Sequence, residues 1–119
     1  MRLIGKNLGA PDQTDELPML LDEVVRVGGY TVTRETLEPG WRWSEHARSE
    51  LGGEWCDTRH VGVTVSGRWG VELPDGERIE FAPGDVFEVP AGHDSWTIGE
   101  EPCVTIEWAP DQPPSPSAP

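Results

Sequence analysis

Apolar and polar residues alternate with a period of two over much of this chain. The clearest case is CDTRHVGVTVSG, Cys56 to Gly67. Val61, Val63 and Val65 hold one set of alternate positions there; Cys56, Thr58, His60, Gly62, Thr64 and Ser66 hold the other. Side chains alternate between the two faces of a strand, so one face is valine and the other small, polar and able to ligate. Similar alternation predicts strands at Glu23–Val27, Tyr30–Leu37, Arg68–Leu73, Arg78–Ala82, Val86–Pro90, Asp94–Ile98 and Cys103–Trp108. WRWSEH, 41–46, reads as a short strand-like piece, and ARSELGGEW, 47–55, as a loop. Gly28-Gly29, Glu38-Pro39-Gly40, Pro74-Asp75-Gly76, Pro83-Gly84-Asp85 and Pro90-Ala91-Gly92 supply the turns. Residues 1 to about 20 read as an irregular arm, with MLLDEVV, 19–25, as a helical turn at most. No helical period is sustained and no repeat stands out. Eight or nine short strands between Gly/Pro turns predict an all-β sandwich or barrel.

Composition narrows this picture. A chain of 119 residues is one domain. The expected organisation is an arm over 1–21, a barrel over 22–108 and a disordered tail over 109–119, where five of eleven residues are proline. A net charge of -13 argues against nucleic acid and against anionic membrane surfaces. No apolar run is long enough for a transmembrane helix, and the first residues do not read as a signal peptide. The two cysteines, Cys56 and Cys103, are too few for a disulfide framework, so the expected setting is the cytoplasm with reduced thiols.

The chain has three histidines, His46, His60 and His93. His93 follows the Pro90-Ala91-Gly92 turn directly and precedes Asp94. These spacings carry a family resemblance. Gly84-x5-Pro90-x-Gly92 resembles the second sequence motif of the cupins; Gly40-x5-His46 resembles the opening of the first, and His60-x6-Gly67 its close. Cys56-x3-His60-Val61-Gly62 with Pro90-x-Gly92-His93-Asp94 resembles a bacterial subgroup of small stand-alone cupins. The resemblance covers roughly residues 22 to 108. It implies a cupin-type double-stranded β-helix, a jelly-roll barrel that often holds one divalent metal on three histidines and a glutamate.

The ligand pattern is rearranged here. Arg48 stands where His46 would have a histidine partner, Cys56 stands where the second histidine normally falls, and His60 replaces the glutamate. Ser95 takes the usual place of the second-motif histidine, and His93 lies two residues earlier. The candidate ligands are therefore His60 and His93, with Cys56 and His46 beside them. On a straight strand Cys56 and His60 lie about 13 Å apart, too far for one ion. A turn at Asp57-Thr58, as the family has there, brings them together. Such a set suits Zn²⁺ or Fe²⁺, with Ni²⁺ and Cu²⁺ also possible. Packing is the competing explanation, since a buried cysteine is usually a small hydrophobe and a histidine beside a turn often bonds a carbonyl.

Asp94 is expected to orient His93 as an outer partner. Trp41, Trp43, Thr64, Ser95 and Trp96 are expected to line a pocket, while Trp55, Trp69 and Trp108 suit a core or a dimer contact. Arg42, Arg59 and Arg68 read as surface ion-pair partners, and Glu45 and Glu50 as solvated. The expected function is metal-dependent action on a small organic molecule, of oxygenase, isomerase or lyase type. A non-catalytic ligand-binding or sensor module is the alternative, and the resemblance implies a homodimer.

Overall fold

The structure is a computed structural model, and it describes residues 2–111. Nine strands run β1 Gln13–Leu17, β2 Leu20–Val27, β3 Tyr30–Leu37, β4 His60–Ser66, β5 Arg68–Glu72, β6 Arg78–Phe81, β7 Val86–Val89, β8 Asp94–Ile98 and β9 Cys103–Pro110. Two single helical turns, α1 Trp43–His46 and α2 Arg48–Leu51, lie between β3 and β4. The strands form a six-stranded sheet, β1-β2-β3-β9-β4-β7, and a three-stranded sheet, β6-β5-β8. All pairings are antiparallel. No described helix is long and apolar enough to cross a membrane.

The register across the large sheet sets what faces inward. Leu20 pairs with Leu37 and Leu37 with Cys103; Asp22 pairs with Glu35 and Glu35 with Thr105; Gly62 pairs with Glu107 and Thr64 with Thr105. Leu37, Thr64, Cys103 and Thr105 on these rows are buried. The valine face of β4 therefore points outward, and the polar face that includes His60 points into the barrel. From the small sheet come Trp69 and Val71, and the core continues through Phe81, Phe87 and Val89. Trp69 packs against Phe81 and Phe87 with ring centroids 4.9 Å apart in each case. Its indole N–H donates to Thr64 Oγ1 at 2.9 Å, so the polar edge of this aromatic plug is satisfied.

Three local expectations are corrected. Within the supposed irregular arm, Gln13–Leu17 is a strand paired with β2. It is an exposed edge, with only Leu17 partly covered, so it carries no apolar alternation to read. MLLDEVV is not a helical turn, because Leu20–Val27 pairs on both sides as β2. WRWSEH is not a strand beyond an isolated bridge of Arg42 with Trp96. It turns helical because Asp94, distant in sequence, accepts from the Ser44 N–H at 3.0 Å and from Ser44 Oγ at 2.9 Å. The loop after it contains the α2 turn. At the other end, β9 continues to Pro110, and the Asp111 N–H donates to the Gly29 carbonyl. The rest of the expected tail, 112–119, lies outside the described residues.

Candidate metal centre

Cys56, His60 and His93 converge inside the barrel, with donor atoms all within 4.8 Å of one another. The backbone explains the convergence. Residues 57–59 leave the strand conformation, so Cys56 swings back toward β4 instead of lying a strand's length from His60. An isolated bridge pairs Cys56 with His93: the Cys56 N–H donates to the His93 carbonyl at 2.7 Å, and the Gly92 N–H donates to the Cys56 carbonyl at 2.7 Å. Gly92 sits at φ 88°, a left-handed conformation that favours glycine, and this turn delivers His93 to the bridge.

Each imidazole is held by its Nδ1. That of His93 donates to the Pro90 carbonyl at 2.7 Å, an acceptor built into the same turn. That of His60 donates to Glu107 Oε1 at 2.5 Å, and Thr105 Oγ1 donates to the other oxygen of that carboxylate at 3.0 Å. Both rings therefore keep Nε2 for the interior, an arrangement common around metal-bound histidine. His60 Nε2 lies 3.8 Å from Cys56 Sγ. Tetrahedral zinc with ordinary bond lengths would place its sulfur and nitrogen about 3.6 Å apart. The rings of His60 and His93 meet edge to face at 5.0 Å.

The electrostatics complete the set. Burial pushes the Cys56 thiol up, but hydrogen bonds from His60, His93 and the Thr58 backbone outweigh it and hold the thiol at about 6. Burial disfavours the His60 cation, yet Cys56 and Glu107 outweigh that and raise His60 to about 10. Without metal, these shifts favour a thiolate beside an imidazolium at neutral pH. Donor chemistry, anchored rings and spacing all fit a divalent transition metal at this point.

The three residues open onto a cavity of about 550 Å³. Its wall includes Trp41, Trp43 and Ser95, together with Asp22, Glu35 and Glu107.

The sequence matches no known family profile and no curated protein. Solved structures do match. A cupin superfamily protein from Desulfitobacterium hafniense is 14% identical, with 87% of this chain and 82% of that one covered at a TM-score of 0.55. The fold is that of the cupins. The polyketide cyclase RemF from Streptomyces resistomycificus is 17% identical, covers 95% and 83%, and gives a TM-score of 0.66. Ectoine synthase from P. lautus is 12% identical, covers 92% and 80%, and also gives 0.66.

Several residues singled out in the sequence lie elsewhere. His46 is outside the cluster; its Nδ1 accepts from the Arg42 N–H at 3.0 Å within the α1 turn. Asp94 does not touch the His93 ring. It binds Arg42 Nε at 3.0 Å and Ser44, because the strand places it on the side opposite His93. Thr64 is buried but is taken up by Trp69 and lines no part of the cavity. Trp96 lies outside the barrel, with the guanidinium groups of Arg42 and Arg78 over its ring at 4.7 and 4.6 Å. Arg59 pairs with Glu88 on the surface, and Arg68 with Glu80 at 3.5 Å.

Three carboxylates were missed. Asp22, Glu35 and Glu107 lie on β2, β3 and β9 with inward parity. The readable signal was parity itself, since Glu107 alternates with Cys103 and Thr105, and Glu35 with Leu37. Gly62 was missed as well. A Cβ there would lie 2.9 Å from Glu107 Cγ and 2.2 Å from the Ile106 carbonyl oxygen, so its bare backbone lets Glu107 cross to His60.

Proposed function

We propose that this cupin is a metal-dependent enzyme that acts on a small organic molecule in its barrel, by lyase or isomerase chemistry. Cys56, His60 and His93 hold one divalent transition metal, Zn²⁺ in preference to Fe²⁺ because thiolate with two imidazoles is a borderline-soft, tetrahedral donor set. The observation that carries this is the convergence of Cys56 Sγ with two imidazoles whose Nδ1 atoms are already engaged. When bound, the metal supplies Lewis-acid polarisation of a substrate oxygen. Pro90 and Glu107 keep the two rings oriented. Burial raises both Asp22 and Glu35 above the usual carboxylate range, so either can carry a proton to a leaving or developing oxygen. The indoles of Trp41 and Trp43 exclude water from the reacting end. The enzymes among the fold neighbours, the polyketide cyclase and the ectoine synthase, support small-molecule chemistry in such a barrel.

We also propose a homodimer. Val86, Val63 and Ile106 form a row across the outer face of the large sheet, and Val86 is 70% exposed.

Metal analysis of protein purified without an affinity tag tests the reading. It should find about one equivalent of zinc, lost on His60→Ala or His93→Ala. Substituted Co²⁺ should show a sulfur charge-transfer band that Cys56→Ser removes. Less than about a tenth of an equivalent, with none regained on reconstitution, would leave only a ligand-binding barrel.

A further inference from the structure

We infer that the molecule this cavity takes is a small organic cation, an ammonium or amidinium, with a hydrogen-bond acceptor at its other end. The inference rests on reading the cavity as the substrate site, and it deepens that reading.

The cavity wall carries five carboxylates. Asp15 and Glu16 stand exposed on the β1 edge, and Asp22, Glu35 and Glu107 lie deeper; no lysine or arginine lines it. Among the described residues only Glu107 of these five has a cationic partner, His60. Asp22 and Glu35 face one another across the β2–β3 register. Carboxylates removed from water normally come with a cation or with donors. Here one is missing, and Asp22 Oδ1 is buried with no hydrogen-bond partner among the described residues. A ligand ammonium between Asp22 and Glu35 would supply that cation.

A second, independent feature points to the other end of the ligand. Trp41 and Trp43 line the same cavity and are only 3% and 4% exposed. Neither indole Nε1–H has an acceptor among the described residues. Buried indole N–H groups ordinarily find one. A carbonyl or ether oxygen on the ligand would supply it, and indole walls favour a cation over an anion. The arginines near this end, Arg42 and Arg78, are stacked on Trp96 outside the barrel and offer nothing to an anionic ligand. A wall of one sign also concentrates cations at its mouth and repels anions.

The test uses three probes of similar size on the full, zinc-loaded chain: 4-aminobutanamide, its neutral isostere pentanamide, and the anion succinamate. Binding is read from the indole N–H resonances of Trp41 and Trp43 at neutral pH. The cation should bind at least about tenfold more tightly than pentanamide, and succinamate should cause no shift. Equal affinity for the cation and pentanamide, a preference for succinamate, or no shift from the cation at tens of millimolar overturns the inference. Asp22→Asn with Glu35→Gln should abolish the preference and leave the zinc content unchanged. Glu35→Gln alone should weaken it. Cys56→Ser with His93→Ala should lose zinc and keep the preference, so loss of the metal reading and loss of this one give different results.

Discussion

The Cys56 thiol sits beside two imidazoles whose other nitrogens are already engaged, so both rings can turn toward sulfur. That environment holds the thiol at about 6, against 9.0 for an unperturbed cysteine. The thiolate is the nucleophile, so in metal-free protein the rate of Cys56 alkylation by iodoacetamide should rise through a midpoint near 6. An ordinary cysteine is silent at that pH. Cys103 should stay unlabelled; burial, with Glu35 and Glu107 nearby, pushes it up to about 12. Added zinc should protect Cys56. A midpoint near that of a free thiol would show that the imidazoles do not act on it. Because His60 is raised to about 10, it carries a proton at neutral pH that an incoming metal must displace. Metal affinity should therefore climb with pH, first as Cys56 ionises and then as His60 gives up its proton.

Among the elements, α1 shows how a residue can be mistaken for part of the site. Asp94 is 6% exposed and binds Arg42, the Ser44 N–H and Ser44 Oγ, so it fastens α1 to β8. Asp94→Ala should lower stability by about 2–3 kcal/mol, as loss of charge-assisted bonds at a buried site does, read from urea unfolding. It should leave zinc stoichiometry intact, because no Asp94 atom reaches the His93 ring. A stable Asp94→Ala protein that had lost its metal would return Asp94 to the role its neighbour in sequence implied. Adjacency misled there because Asp94 and His93 are successive residues that point to opposite sides. The β4 segment was legible because alternation, turn residues and ligating atoms coincide within twelve residues. The Asp57-Thr58 bend came from the family resemblance; the strand distance showed only that a straight chain could not bring Cys56 and His60 to one ion. The inward parity of Glu107 was legible but its contact with His60 was not, because only the β4–β9 register brings them together. The carboxylates of β2 and β3 drew no reading, because only the sheet order puts Asp22 and Glu35 on an inner face. The β1 edge left no apolar trace at all.

At the scale of the whole molecule, two antiparallel sheets enclose an aromatic plug of Trp69, Phe81 and Phe87, and next to it a cavity that Trp69 also lines. The valines read from alternation turned out to coat the outside of the large sheet, and the polar alternates line its interior. That inversion is what makes room for chemistry in so small a chain. Fold likeness at 12–17% identity places the architecture and leaves the site to its own residues. Those residues make one central demand, that Cys56, His60 and His93 hold the same ion. X-ray absorption at the zinc edge of the loaded protein tests it most directly. The account predicts one sulfur at about 2.3 Å and two imidazole nitrogens at about 2.0 Å, with the sulfur gone in Cys56→Ser. A first shell of oxygen and nitrogen alone in the unaltered protein would contradict it.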